Sequence, residues 1–548
     1  MGFERLLRPF REARVLYEDA GLLVVDKPFG LPVHGGNVAD GDDLVTRLAA
    51  RASALGADGY LGVHQRLDKE TSGVLLFTRR REANAAIADE MEARRVRRTY
   101  VAGVEASAAS RLGPAFRLEH RLLPVKGGPT RVVHQGGQLA RTTGRLLERV
   151  GDRALLELSP ETGRKHQLRA QLARVGAPVA GDSVYGGAPF DRLLLHALTL
   201  ELPGSGQRFQ SPLPREFSSW LAGRDIELGS GAELAAVLED AACRRWPLRD
   251  RTQAFRWVNG AGDGAPGIIV DVYGDFAVLD VSSDAAAERS AEIAALLIDA
   301  GALGVYLKRR VRGDVRRADL DRQAPEAPIA GRAAPPELEV GEGPWRFGVR
   351  LDHGLSTGLF LDQRDNRALV HALGGGGRVL NLFAYTCSFS VAAASAGAET
   401  TSVDLSATAL DQGRRNFERN GLAARGHRFV REDVTAWLPR AARRGERFDL
   451  IVLDPPSFAT MGKRTFRVAS DYADVAAAAL RLLSPGGRLL AVTNHRKTRP
   501  SDLRRVLHTA ARAAGRELEQ LKDLPSPLDC PPDAGGPSPS KSALLTVV

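Results

Sequence analysis

The chain has 548 residues, 43% of them hydrophobic and 26% charged. That length is about three to four ordinary domains, and the composition excludes wholesale disorder while favouring two or three cores. Lys and Arg number 76 against 66 Asp and Glu, a formal charge of +10 carried mostly by the first 225 residues, and such a balance favours a polyanionic partner.

Residues 1–222 alternate short β-like runs with turn signals, which predicts strands at 15–17, 21–25, 74–77 and 155–158. Ala and Ile recur at helical spacing amid Glu and Arg over 81–95, the pattern of a surface helix. Gly, Pro and Ser concentrate at 203–232, so a linker is expected over 223–249. A small α/β module over 250–340 follows, containing the Pro/Ala-rich stretch 324–337. From 341 to 548 the rhythm becomes strand, turn, helix, with strands at 379–383, 402–405, 448–453 and 487–493 too apolar to be half exposed. Such strands belong to a parallel, doubly wound sheet whose ligands bind at strand carboxyl ends. No window has the roughly 18 uninterrupted apolar residues of a membrane-spanning helix. The start MGFERLLRPFREAR has no apolar run after its charges. Cys243, Cys387 and Cys530 are far apart, without zinc or disulfide spacing. A cytoplasmic protein with neither a membrane nor a metal among its partners is expected.

In the front part the densest motif is His64-Gln65-Arg66-Leu67-Asp68-Lys69-Glu70-Thr71-Ser72-Gly73, a polar loop with one Asp that runs into an apolar strand. A second block, Thr162-Gly163-Arg164-Lys165-His166-Gln167-Leu168-Arg169, concentrates donors on a turn and helix start, and a third, APVAGDSVYGG, spans 177–187. With Arg98-Thr99-Tyr100 leading a strand, these blocks over residues 14–222 resemble the large-ribosomal-RNA branch of the pseudouridine synthases. The resemblance implies an α+β catalytic domain with a mixed, mainly antiparallel sheet. It departs at Gln65, which separates a His and an Arg usually adjacent in that family.

Isomerising uridine breaks the ribose-to-nitrogen bond and rejoins the base through carbon, for which an ionised carboxylate beside the sugar suffices without cofactor or metal. By resemblance Asp68 is that carboxylate, as nucleophile or as base. Arg169 would pair with it, Tyr100 would stack on the base and relay a proton, and Arg66 would fill the gap left by the extruded uridine. The run Arg94-Arg95-Val96-Arg97-Arg98 suits phosphate contact.

In the back part, Val379-Leu380-Asn381-Leu382-Phe383-Ala384-Tyr385-Thr386-Cys387-Ser388 is neither a dinucleotide-binding nor a P-loop turn. Asp404 ends the next strand, where an acid can take both ribose hydroxyls. Asp433 ends the third and could accept from an adenine amine. The fourth closes with Asp454-Pro455-Pro456-Ser457-Phe458, whose prolines fix the backbone after the acid. With Gly358-Leu359-Phe360-Leu361-Asp362-Gln363-Arg364 upstream, residues 235–548 resemble class I S-adenosylmethionine-dependent ribosomal RNA methyltransferases, which implies a Rossmann-like fold. By that resemblance Phe383, Tyr385, Thr386, Asp404, Leu405, Asp433, Asp454, Asp362 and Arg364 hold the cofactor, while Asp454, Pro455 and Pro456 act on the acceptor. Cys387 replaces the glycine of many relatives, so a crowded methionine pocket is expected.

Methylation of a pyrimidine carbon needs a cysteine thiolate, and none follows the fourth or sixth strand. A purine nitrogen, in guanine, is therefore expected as acceptor. The expectation as a whole is a bifunctional ribosomal RNA modification enzyme. Its rivals are an RNA-binding or ribosome-assembly protein with only one active half, or a methyltransferase acting on a cytosine carbon or a non-RNA acceptor.

Overall fold

A computed structural model describes residues 6–35, 42–225, 227–309, 323–423, 425–456, 458–461, 464–495, 497–532 and 540–548. The chain forms two compact units, Arg8–Glu227 on one hand and Met1–Leu7 with Leu228–Val548 on the other.

In the front unit the strands run in the spatial order Val15–Glu18, Leu22–Lys27, Ser72–Thr78, Leu195–Leu202, Arg97–Glu105, Arg153–Pro160, Gln138–Val150, Ala115–Leu123, Arg131–Val133. Pairing is antiparallel along this path except between Ser72–Thr78 and Leu195–Leu202, so the sheet is mixed and mainly antiparallel as expected. Every residue of Ser72–Thr78 is buried, which is why its middle, Val74 to Phe77, is an unbroken apolar run. The parallel step brings Gly73 against Ala197: a Cβ there would lie 2.2 Å from the Ala197 carbonyl oxygen, at a φ of +117°. Only glycine fits, which accounts for the Thr-Ser-Gly ending of the motif. The helix expected over 81–95 runs Ala83–Glu92 and buries Ile87.

The segment 223–249 is not an open linker. It contains the helix Gly231–Arg244, opened by a capping box in which Ser230 and Glu233 satisfy one another's backbone N–H groups. Of the residues that suggested a linker, Ser230 and Gly231 are the helix start, and Gly204, Ser205 and Gly206 turn the chain between the strands Leu195–Leu202 and Gln207–Gln210. Its Leu234, Leu238 and Ala241 pack with Trp257, whose indole N–H donates to the Leu238 carbonyl at 2.8 Å. The small module's sheet runs Ala254–Asn259, Ile268–Tyr273, Phe276–Val281, Gly304–Arg309, Ala330–Gly331. The boundary expected after 340 cuts the strand Leu338–Glu342, which pairs with Trp345–Val349 in a hairpin.

In the rest of the back unit the order is His427–Arg431, Glu399–Asp404, Arg378–Leu382, Phe448–Leu453, Leu483–Thr493, Lys541–Val547, Leu518–Leu524. The first five strands are parallel, and Lys541–Val547 runs antiparallel to both of its neighbours, Leu483–Thr493 and Leu518–Leu524. Chain order reverses between Arg378–Leu382 and Phe448–Leu453, the point at which a doubly wound sheet opens a crevice.

Candidate active sites

Asp68 stands in a cleft of about 640 Å³ whose wall includes Arg66, Arg98, Tyr100, His166 and Arg169. Its loop is stitched from behind by Lys27, whose buried ammonium donates to the carbonyls of Pro28, Leu31 and Lys69 at 2.6 to 3.0 Å. Burial lowers the Lys27 pKa to about 7. Arg169, on the helix Gln167–Arg174, donates from Nη1 to Asp68 at 3.3 Å. The expected pair is present, but it is the weaker contact of this guanidinium. Arg169 makes a bidentate pair with Asp182, at 2.7 and 2.9 Å, and the Asp182 carboxylate is wholly buried and also accepts from the Val184 and Tyr185 N–H groups. Asp182 fixes the arginine in two bonds and leaves one hand for Asp68. Sequence reasoning gave Asp182 no role, although the GDSVYGG block contains it.

Tyr185 lies under the Arg169 guanidinium at 5.3 Å and donates its hydroxyl to the Thr130 carbonyl. Tyr100, on the strand Arg97–Glu105, is buried, and burial raises its phenol pKa, so at neutral pH it carries a proton to offer. Arg66 is exposed and makes no hydrogen bond or ion pair among the described residues, leaving it free to reach into a stack. His64 bonds through Nε2 to Thr78 at 3.0 Å, and burial lowers its pKa. The inserted Gln65 thus accompanies a histidine that braces the loop. The Asp68 side chain is 25% exposed beside a fixed guanidinium, an arrangement suited to attack at a sugar carbon or removal of a proton next to it. Among the described residues no group of three His, Cys, Asp or Glu is placed to hold a metal ion.

The second site opens at the sheet's reversal point, a pocket of about 350 Å³ lined by Phe360, Asp362, Phe383, Tyr385, Asp404, Leu405, Asp433, Asp454, Pro455, Pro456 and Asn494. Its floor turn holds non-glycine residues at left-handed φ: Phe383 at +57°, Tyr385 at +46° and Cys387 at +60°. Each such residue costs on the order of 1 kcal/mol or more, and the surroundings hold them there. Asp404 accepts from the Tyr385 and Ser406 N–H groups, both at 2.8 Å. Asp433 caps the helix Val434–Arg443, accepting from Thr435 N–H at 2.7 Å. These two carboxylates, with Phe383, Leu405 and Val434 around them, offer acceptors for ribose hydroxyls and a purine amine against an apolar lining. Those acceptors and that lining fit S-adenosylmethionine, which supplies an activated methyl group when bound.

Thr386 and Arg364 do not line this pocket, correcting the cofactor set. Thr386 is buried, donating to the Gly358 carbonyl at 2.6 Å and accepting at its own carbonyl from Asn416, so it braces the turn. Arg364 points to the tail, pairing with Asp529 through two bonds of 2.9 Å and donating to the Ala254 carbonyl. The crowding expected from Cys387 is also absent. Its sulfur lies on the helix Ala407–Arg419 side, where a Cβ at Gly413 would fall 2.5 Å from it, and Gly413 makes the room.

Burial and the neighbouring charge of Asp362 raise the Asp454 pKa to about 7, with Arg367 opposing. Arg367 is itself occupied by Glu342 in two bonds of 2.6 Å. Phe360, 45% exposed, tilts against Tyr385 with ring centres 5.3 Å apart, forming an aromatic rim that sequence reasoning left unassigned although it sits in the quoted 358–364 segment. Asn494, after the fifth strand, was likewise unassigned. Ser457 and the side chain of Phe458 lie outside the described residues.

A family profile described as S-adenosylmethionine-dependent methyltransferase matches residues 331–542, and one described as RNA pseudouridylate synthase matches 21–174. The ribosomal RNA large subunit methyltransferase I of Erwinia tasmaniensis is 35% identical over 53% of this chain and 73% of its own length. That of Klebsiella pneumoniae is 34% identical over 57% and 78%. Among solved structures, SMU.776 complexed with SAH aligns at a TM-score of 0.53 and 28% identity, covering 64% of this chain and 87% of that one. The chain therefore belongs to the ribosomal RNA large subunit methyltransferase I family of S-adenosylmethionine-dependent enzymes, and its front unit carries an RNA pseudouridylate synthase domain.

Proposed function

We propose that this protein modifies ribosomal RNA, large-subunit RNA first, at two bases: the front unit isomerises uridine through Asp68 and the back unit methylates a second base beside Asp454. What carries the reading is the presence on one chain of the Asp68–Arg169–Asp182 cluster and of a strand-end pocket with Asp404, Asp433 and Asp454. Joining both to one polypeptide raises the local concentration of a shared RNA for the second site once the first is engaged. A ribosomal substrate implies a cytoplasmic location. For the acceptor we retain a guanine nitrogen: no cysteine lines the pocket among the described residues, and burial raises the pKa of both the Cys387 and Cys530 thiols.

The test incubates unmodified large-subunit RNA with labelled S-adenosylmethionine and the full-length protein, then identifies the nucleosides by mass spectrometry. Asp68→Asn is expected to lose pseudouridine and keep the methyl label, and Asp454→Ala the reverse. Pseudouridine persisting in Asp68→Asn ends the front assignment, and label persisting in Asp454→Ala ends the back one. A 5-methylpyrimidine product overturns the acceptor alone.

A further inference from the structure

Beside the catalytic cleft lies a second groove of about 640 Å³ that its chemistry does not use. One bank is the turn from the helix Ala83–Glu92 into the strand Arg97–Glu105, and the other is the loop from the strand Arg153–Pro160 into the helix Gln167–Arg174. The groove and the cleft share Arg98, Pro160, Thr162, Gly163 and Arg164, so they are one continuous trough. Arg98 stands where they meet. It is two residues before Tyr100 on one strand, hence on the same face. Its Nε is buried without a hydrogen-bond partner. Its guanidinium rests against Gly163, where even a Cβ would come within 3.6 Å of Nη1.

Arg94 and Arg97 line the same groove and are exposed, and their side chains make no hydrogen bond or ion pair among the described residues. Of the acids present, Glu161 pairs with Arg117 at 3.3 Å and Glu201 with Arg208 at 3.4 Å, which leaves Glu92 as the opposing charge. The groove is therefore net cationic, and its arginines lack the carboxylates that neutralise arginines elsewhere in the unit.

We propose that this groove is a second RNA site, which holds the phosphodiester strand continuing from the target uridine, with Arg98 on the phosphate at the junction and Arg94 and Arg97 on phosphates beyond it. The inference rests on the cleft being a pseudouridine synthase site. A nucleotide drawn into the Asp68 cleft stays bonded to its neighbours, and the strand must leave along a wall. The trough through Arg98 is open and positively charged, whereas the Lys27 side of the Asp68 loop is closed by packing. Exposed guanidinium groups on successive phosphates position a strand without reading its sequence.

The experiment uses full-length protein and a fluorescein-labelled transcript of large-subunit ribosomal RNA, with affinity measured across a salt series and pseudouridine formation followed on the same transcript. Each lost phosphate contact on a single strand lowers the salt slope by about 0.7. Arg94→Ala/Arg97→Ala is expected to lower the slope by roughly one to two and to raise KM roughly tenfold, with the loss falling on KM rather than kcat. Arg94→Lys/Arg97→Lys should recover most of the slope, because a phosphate contact needs charge more than shape. An unchanged slope and KM in the alanine double variant overturns the groove, as does a loss confined to kcat. Wild-type protein that binds the transcript but forms no pseudouridine on it ends the front-unit reading, while the slope comparison still decides the groove.

Discussion

Asp68 and Asp182 both touch Arg169, yet the geometry gives them different duties. Asp182 is wholly buried and holds the guanidinium by two short bonds, whereas Asp68 is partly exposed and receives one long contact. Removing one partner of a buried pair strands the other and costs about 3–5 kcal/mol, while removing a partly solvated partner of an arginine that keeps its main bonds costs about 1 kcal/mol or less. Asp182→Ala should therefore lower the front unit's denaturation midpoint sharply, and Asp68→Ala should abolish pseudouridine formation at nearly wild-type stability. Denaturant titration read beside activity checks both.

Asp454 makes a pH prediction. Burial lets its carboxyl keep its proton to about pH 7 in the folded chain, against an ordinary value of 3.8. Between those values the folded state binds the extra proton, so this group's contribution to stability is complete below 3.8 and is lost as pH rises to 7. Asp454→Asn should thus leave the melting temperature unchanged near pH 4 and raise it by a few degrees, on the order of 2–4 °C, at pH 8. If the carboxylate orients the acceptor, single-turnover methyl transfer should climb through an inflection near pH 7 that the variant lacks.

At the scale of elements, the cofactor turn and the helix facing it are fitted to each other. Cys387 occupies a left-handed position at the start of the helix Ser388–Ser395, with its sulfur packed where the helix Ala407–Arg419 has Gly413. Gly413→Ala would put a carbon 2.5 Å from a buried sulfur that has no open space to enter. Overpacking of this kind costs about 1–3 kcal/mol and should weaken cofactor binding by displacing the turn. Cys387→Gly in the same chain should restore both, since glycine tolerates the positive φ and removes the clash. Calorimetric titration with S-adenosylmethionine across the four proteins of this double-mutant cycle measures the coupling. The turn was read as a cofactor loop through its resemblance to the methyltransferases. That Thr386 would face Gly358 was not legible, because a side chain's direction at a left-handed turn depends on what the next helix offers.

For the molecule as a whole, the two units have separate cores, and the tail loop ties one of them together. Asp529 accepts from both terminal nitrogens of Arg364 and from the Arg256 N–H, and its carbonyl accepts from Arg245, which in turn holds Asp263. These groups come from the 223–249 segment, the small module, the segment before the first strand of the doubly wound sheet, and the tail, and Arg245, Asp263, Arg364 and Asp529 are all buried. Arg364→Ala leaves the Asp529 carboxylate buried with one neutralising charge gone. Differential scanning calorimetry should show two transitions, of which only the one for Met1–Leu7 with Leu228–Val548 moves down. A shift in both would mean that the units unfold as one.

Strand periodicity, the apolar runs and the order of the motif blocks are local properties, so both fold types were legible in the sequence, as were Asp68 and Tyr100, which share one cleft, and the three strand-end acids that share one pocket. Turn-forming residues were ambiguous for the same reason: Gly and Ser near 230 serve a helix start as well as a linker, and only the Trp257 surface against which that helix packs decided between them. Partner choice belonged to the tertiary structure. Arg364 went to Asp529 because a segment 165 residues away brought that acid into a dry interior, and Arg169 gave its two shorter bonds to Asp182, 13 residues on, because the fold buries that carboxylate, where an unpaired charge is too costly to leave.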